Sequence, residues 1–221
     1  MVVTGASGVL GRAIADAALA RGCAVAAIDF GSVDRTDSDN WIGLGGVDLA
    51  DPVAAQAAIN AAAQRFGRID GLLNAVGGFV WQTTDGPLES WDRMHRINVT
   101  TVLNACRAAL PHLAKSAGGR IVNVGAFGAL QAGAGMGAYA ASKAGVHKLT
   151  EALAEESKAT TITVNAVLPS IIDTPANRAD MADADFSTWV QPTELAEVML
   201  FLASDAASAV TGALLPVKGR V

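Results

Sequence analysis

Aromatic residues and cysteines are scarce in this chain. Of its 221 residues, 5% are aromatic, one is a tyrosine and two are cysteines. Cys23 and Cys106 are too few for a disulfide framework, so we expect free thiols in a reducing compartment and a cytoplasmic protein. No apolar run reaches the roughly eighteen residues of a membrane span, and we expect no signal peptide before the first strand. These absences argue against a secreted or membrane-spanning protein.

Positive charge is scarce as well. Lysine and arginine total 16 against 21 aspartates and glutamates, which gives a net charge of −5 and a pI near 5.1. Because a net negative charge disfavours binding to a polyanion, we expect neither nucleic acid nor an anionic membrane as a partner. The three histidines, His95, His112 and His147, lack metal-ligand spacing. We interpret them as solvated helix positions and expect no metal.

Hydrophobic residues, by contrast, are plentiful and follow an alternating pattern. They make up 51% of the chain, enough to bury the core of one domain spanning residues 1–221. Strands are predicted near residues 1–4, 24–29, 41–46, 70–75, 119–124, 161–167 and 213–217. Helices are predicted near residues 9–21, 51–66, 88–114, 135–158 and 192–203. This alternation predicts an α/β fold with a doubly wound parallel sheet of about seven strands flanked by helices, in which residues 31–40 are too short for a helix.

A glycine-rich turn follows the first predicted strand. Gly5, Gly8 and Gly11 are three residues apart and open a helix, a spacing that lets the backbone approach a pyrophosphate. The next strand ends in Asp29, where a carboxylate accepts hydrogen bonds from a ribose and repels a 2′-phosphate. The pattern predicts a single Rossmann-type domain that binds NAD(H), with NADP(H) less favoured although Arg35 lies nearby. An ordinary glycine-rich turn is the alternative.

Tyr139 and Lys143 form the second informative motif. Four residues apart on a predicted helix, they lie on the same face, one turn from each other. An ammonium beside a phenol favours the phenolate, so we expect Lys143 to lower the pKa of Tyr139 from about 10 towards neutrality. Tyr139 is then a candidate proton donor or acceptor, and both residues are catalytic candidates.

These motifs resemble the short-chain dehydrogenase/reductase family over essentially the whole chain. Four further segments share the resemblance: Asp48 in residues 47–52, Asn74-Ala-Val-Gly77, Asn98 in residues 96–99, and Pro169 to Thr174. The resemblance implies that Asp48 contacts adenine, that Asn98 holds a water in a proton relay, and that residues 169–174 hold the nicotinamide carboxamide. The cofactor-binding residues so implied are Gly5, Ser7, Gly8, Val9, Leu10, Gly11, Asp29, Asp48, Leu49, Asn74, Ala75, Val76, Gly77, Tyr139, Lys143, Pro169, Ile172 and Thr174. In this family the helices near 88–114 and 135–158 pair across a two-fold axis, which implies a homodimer or homotetramer.

One position departs from the family pattern. A serine usually precedes the catalytic tyrosine by thirteen residues, but Ala126 stands there. The dihydropteridine reductase branch shares this gap, and it is similar also in Gly77-Gly78-Phe79 and in residues 167–189. That similarity implies a substrate loop at about 173–191. The expected substrate pocket consists of Phe79, Trp81, Ala126, Phe127 and Trp189.

We therefore expect an NADH-dependent oxidoreductase that reduces a ring or carbonyl substrate, with a quinonoid dihydropterin as the leading example. Such a substrate positions itself by stacking, whereas a simple ketone needs its oxygen held. A ketoreductase or alcohol dehydrogenase resembling 3-oxoacyl reductases stays open as an alternative. A non-catalytic NAD(H)-binding sensor is the alternative from another class, although it would not need the intact Tyr139 and Lys143 pair.

Overall fold

Seven parallel strands form one sheet in the computed structural model, which describes residues 1–221. The strands are β1 (Val2–Thr4), β2 (Val25–Ile28), β3 (Trp41–Leu44), β4 (Gly71–Asn74), β5 (Arg120–Val124), β6 (Thr163–Pro169) and β7 (Leu214–Val217). Their order is β3-β2-β1-β4-β5-β6-β7, so the direction of winding reverses between β1 and β4. The predicted doubly wound fold is confirmed. Ligands of such sheets bind at the carboxyl ends of the strands beside this reversal.

Helices cover both faces of the sheet. They are α1 (Val9–Ala20), α2 (Pro52–Phe66), α3 (Glu89–His95), α4 (Thr101–Leu113), α5 (Gly137–Glu156), α6 (Pro175–Asp180) and α7 (Pro192–Leu202). One core cluster joins α2, α4 and α5 to the sheet through residues such as Ile59, Val102 and Leu153. The other joins α1 and α7 to the opposite face through residues such as Ile14 and Leu195. None of the helices is both long enough and apolar enough to cross a membrane.

Two predicted segments differ from the structure. The helix expected over 88–114 is divided into α3, a π-helical turn at Arg96–Thr100, and α4. The wider turn contains Asn98, whose side chain is fully buried. The loop expected at 173–191 also contains the short helix α6, because Pro175 begins it and the hydroxyl of Thr174 accepts the N–H of Asn177. Residues 31–40 form no helix, as predicted.

Candidate active site

The glycine turn brings the start of α1 against the end of β4. Gly5 has a φ of +65°, and a Cβ there would lie 2.7 Å from the backbone nitrogen of Val76. A Cβ on Gly11 would overlap the carbonyl oxygen of Gly5. Only glycine fits at these two positions. No side chain caps the N-terminus of α1 and its first turn has no acidic residue, so its N–H groups suit a pyrophosphate.

Asp29 is fixed beside this turn by two backbone hydrogen bonds. Its carboxylate accepts the N–H of Ser7 at 2.9 Å and the N–H of Gly31 at 2.8 Å. Arg35 is engaged elsewhere: it lies 3.1 Å from Asp16 and stacks on the ring of Trp41. The carboxylate therefore stands at the end of β2 without an arginine partner, as a ribose hydroxyl would require.

The other residues predicted for the nucleotide differ in how they are placed. Asp48 lies at the surface, where its carboxylate accepts the N–H of Ala50 and pairs with Arg96 at 2.6 Å. The side chain of Leu49 is buried in the core. Ala75 and Val76 continue the chain from β4 beside the glycine turn.

The side chain of Asn74 has partners within the protein. Its side chain is fully buried, accepts a hydrogen bond from Thr4 at 3.1 Å and donates one to Asn123 at 2.9 Å. Asn123 in turn donates to Thr150 on α5 at 2.9 Å. The amide thus joins β1, β4 and β5, and a contact of Asn74 with the nucleotide stays a prediction.

Lys143 and Tyr139 lie one turn apart on α5, but Lys143 is bound to a different partner from the one expected. Its ammonium is buried and donates to the carbonyl oxygen of Val124, at the end of β5, over 2.7 Å. Burial lowers the pKa of Lys143 to about 8 and raises the pKa of Tyr139 to about 12. The predicted lowering of the tyrosine pKa is therefore wrong here, because desolvation opposes the phenolate. Tyr139 keeps its proton at neutral pH, the form that donates to a substrate oxygen.

Asn98 ties the π-helical turn to the loop after β4 and to α5. Its amide exchanges two hydrogen bonds with the backbone of Gly78, at 2.9 and 3.0 Å, and donates to the hydroxyl of Ser142 at 2.9 Å. Ser142 donates to the carbonyl of Tyr139 at 2.7 Å. A Cβ on Gly77 would lie 2.7 Å from the Asn98 oxygen and 3.1 Å from the Lys143 nitrogen, so both polar groups converge there. The water relay through Asn98 stays a prediction.

Two of the predicted pocket aromatics border α5. The ring of Phe79 meets that of Tyr139 edge-on at 5.0 Å, and Phe79 is half exposed. Trp81 is exposed, and its indole lies over Gly135, where a Cβ would overlap it. The N–H of Gln82 donates to the carbonyl of Gly135 at 2.7 Å, which fixes this loop at the start of α5. An aromatic surface therefore borders Tyr139.

The remaining pocket residues are more enclosed. Ala126 is buried, and Phe127 is partly buried below the ammonium of Lys218, 4.5 Å from its ring centre. Trp189 is buried against Phe186, with ring centres 4.8 Å apart. Trp189 thus packs within the predicted substrate loop, and its place in the pocket wall stays a prediction.

The segment after β6, residues 170–190, is held by hydrogen bonds between its own residues. Ile172 bridges to Val190, and the carbonyl of Ile172 accepts the Asn177 amide at 2.8 Å. Asp173 binds the guanidinium of Arg178 through both oxygens, at 2.5 and 2.7 Å. These hydrogen bonds lower the pKa of Asp173 to about 2. Pro169, Ile172 and Thr174 thus lie on an ordered segment at the carboxyl end of β6.

His147 is the residue whose placement the sequence prediction missed. It is buried rather than solvated, and its Nε2 accepts the backbone N–H of Ala126 at 3.2 Å. The signal was present: Tyr139, Lys143 and His147 recur every four residues, which places them on one face of α5. His95 is exposed and His112 contacts Asn60 at 2.9 Å. No group of three or more histidine, cysteine or acidic residues is arranged to hold a metal ion.

Comparison with known proteins adds independent information. A family model described as enoyl-(acyl carrier protein) reductase matches residues 5–219. The chain is 34% identical to 2-(R)-hydroxypropyl-CoM dehydrogenase of Xanthobacter autotrophicus, covering 99% of this chain and 96% of that protein. It is 33% identical to a 3-oxoacyl-(acyl-carrier-protein) reductase of Vibrio cholerae, covering 99% and 95%.

A solved structure is similar over its whole length. The 3-ketoacyl-(acyl-carrier-protein) reductase of Brucella melitensis, complexed with NADH, superposes with a TM-score of 0.90 at 30% identity. The match covers 99% of this chain and 96% of that one. The arrangement of sheet and helices around the site is therefore shared with a nicotinamide-binding enzyme.

Proposed function

The chain belongs to the short-chain dehydrogenase/reductase family, and we propose that it interconverts a carbonyl compound and an alcohol with NAD(H) as cofactor. The observation that carries this proposal is the pairing of Tyr139 with Lys143 on α5 at the carboxyl edge of the sheet. The glycine turn and Asp29 lie at the same edge and suit the nucleotide.

The chemistry assigned to this chain's own residues is proton donation and positioning. The bound nicotinamide supplies the hydride for the carbonyl carbon. Tyr139, protonated at neutral pH, donates its phenolic proton to the carbonyl oxygen, which completes the alcohol. Lys143 has a charged nitrogen beside Gly77, where it can hold a ribose hydroxyl.

The named relatives favour a ketone or secondary alcohol as the substrate. Their names specify dehydrogenation of a 2-hydroxypropyl group, which gives a ketone, and reduction of a 3-oxoacyl group, which gives a secondary alcohol. This supports the ketoreductase interpretation over the pterin interpretation. The intact Tyr139 and Lys143 pair argues against a non-catalytic sensor, because a sensor would need only the nucleotide site.

A quinonoid dihydropterin is the second candidate, and it is favoured by Ala126. No hydroxyl at this position can hold a ketone oxygen, while the exposed rings of Phe79 and Trp81 beside Tyr139 offer stacking surface for a planar substrate. A substrate held by stacking does not depend on the missing hydroxyl.

The two candidates are separated by NADH oxidation measured with a 3-oxoacyl thioester, a simple ketone and a quinonoid dihydropterin. Ala126→Ser adds the absent hydroxyl, and Ala129→Ser, three residues further along, is the matched control. If ketones are the substrates, wild type turns them over briskly and Ala126→Ser changes little. If a pterin is the substrate, wild type is slow with ketones and Ala126→Ser raises ketone turnover about tenfold or more. No turnover of any of the three would overturn the proposed function.

We also propose a homodimer or a homotetramer assembled from dimers, on the family resemblance of the helices now defined as α4 and α5. Light scattering at micromolar concentration tests this, and a monomer would contradict it. The cytoplasm is the proposed compartment, in agreement with two free cysteines.

A further inference from the structure

His147 lies behind the catalytic pair. Its ring is buried between α5 and the end of β5, where Nε2 accepts the N–H of Ala126. Two residues earlier, the carbonyl of Val124 accepts the Lys143 ammonium. Two side chains one helical turn apart therefore bind two backbone groups at the end of a single strand.

The local sequence is adapted to this contact. A Cβ on Gly125 would lie 2.5 Å from Nε2 of His147 and 2.5 Å from a methyl group of Leu168. Glycine at 125 therefore gives the imidazole room to reach the backbone. The hydrogen bond also defines the tautomer: Nε2 is an acceptor, so the neutral ring has its proton on Nδ1.

We propose that His147 is a positioning residue for the reaction, holding the end of β5 against α5 so that Val124 presents its carbonyl to Lys143 and Ala126 borders Tyr139. The ammonium of Lys143 depends on this strand end, because the Val124 carbonyl is its hydrogen-bond acceptor. If the strand end moves, Lys143 loses its acceptor and its place beside Gly77. The proposal rests on the proposed hydride-transfer function.

A protonated imidazole cannot perform this role. A proton on Nε2 removes the acceptor for the Ala126 N–H and brings a second positive charge next to Lys143. The other charged groups that act on the ring are Lys148 and Glu151, also on α5, while Gly125, Ala126 and Leu168 face it from the sheet without charge. Burial, with Lys143 acting in the same direction, lowers the pKa of His147. The neutral form is thus kept at physiological pH and is lost on acidification below the usual pKa.

Two substitutions test the role. His147→Leu keeps an apolar side chain of comparable reach but removes the acceptor, and we expect kcat to fall about tenfold or more, with a smaller rise in the KM for NADH because Lys143 also faces the proposed ribose position. His147→Gln retains an amide oxygen near the position of Nε2, and we expect it to restore most of kcat at neutral pH. His95→Gln, at an exposed position on α3, is the matched control and should behave as wild type.

The pH profile separates positioning from simple packing. As the pH is lowered from 7, with acid decay of NADH subtracted, wild type and His95→Gln should lose activity earlier than His147→Gln, because the acceptor in His147→Gln does not titrate. The proposal would be overturned if His147→Leu kept the kcat of wild type. It would also be overturned if His147→Gln lost activity on acidification at the same pH as wild type. If His147→Leu does not fold, the His147→Gln profile alone decides.

Failure of the proposed function can be recognised separately. Long-range proton–nitrogen NMR spectra report the tautomer of each of the three histidines without any substrate. A ring of His147 protonated on Nε2 at pH 7 would overturn the positioning role even in an inactive protein. A neutral ring with its proton on Nδ1, in a protein that oxidises no NADH, would leave the geometry supported and discard only the proposed function.

Discussion

The proposed site has a nucleotide end, at the glycine turn and Asp29, and a chemical end, at Tyr139 and Lys143. The first is formed mainly by backbone contacts and the second by side-chain contacts. At the nucleotide end, Gly5 and Gly11 bring backbone against backbone, and Asp29 is held by two backbone N–H groups. At the chemical end, Lys143 and His147 reach from α5 to the backbone of β5. The first end depends on residues that lack side chains, and the second on side chains that cross between elements.

This difference determines how each end responds to substitution. A methyl group added to the glycine turn meets backbone atoms that cannot move without displacing β4 or α1. A side chain removed at the chemical end leaves a buried polar group without a partner and frees the end of β5, but the glycine turn keeps its place. We therefore expect losses of cofactor binding at one end and losses of turnover at the other.

The largest expected effect is at the chemical end. Tyr139→Phe keeps the ring that contacts Phe79 and removes the phenolic proton, so kcat should fall about 10²- to 10⁴-fold. NADH affinity, measured by fluorescence titration, should change less than twofold, because the nucleotide end is untouched. Turnover within tenfold of wild type would assign proton donation to another group.

The next effect is at the nucleotide end. Gly11→Ala places a methyl group on the carbonyl of Gly5, and relief of that overlap costs about 1–3 kcal/mol, or about five- to 150-fold in NADH affinity. Turnover at saturating NADH should stay near wild type. Gly133→Ala, where the nearest neighbour is the Met136 sulfur at 3.7 Å, is the control and should bind NADH normally. Equal affinities of the two variants would show that the turn adapts.

The same difference explains which features could be predicted from sequence. Glycine spacing and the acid at the end of β2 are local signals, so the turn and Asp29 were predictable. The partners of Asn74, Lys143 and His147 are 19 to 70 residues away along the chain, so their hydrogen bonds depend on packing that no local pattern specifies. The burial of Trp189 against Phe186 is likewise a packing contact that the spacing of aromatic residues does not reveal.

A smaller effect tests the specificity of the nucleotide end. Wild type should bind NADH about tenfold more tightly than NADPH, because a 2′-phosphate would meet the carboxylate of Asp29. Asp29→Asn removes the charge with little change in shape. It should reduce the preference for NADH over NADPH, measured as the ratio of the two dissociation constants by calorimetry. Arg35→Ala is the companion variant: because Arg35 is paired with Asp16, its loss should leave NADPH affinity nearly unchanged. A large loss there would mean that Arg35 turns towards the phosphate.

The smallest effect is a pH dependence at the chemical end, and it has opposite signs for activity and stability. The pKa of Lys143 is lowered to about 8, so half of the free enzyme loses this charge near pH 8, and kcat/KM for NADH should fall about twofold there and further above it.

The free energy of unfolding should change in the other direction. The folded state binds fewer protons at Lys143 than the unfolded chain does above pH 8, so the cost of the buried charge is relieved as the pH rises towards 10. Urea unfolding of wild type and Lys143→Met between pH 7.5 and 9.5 isolates this contribution, and the stability advantage of the variant should shrink with increasing pH. A constant difference, together with a flat kcat/KM profile, would mean that Lys143 keeps its charge throughout this range and that burial does not control its proton.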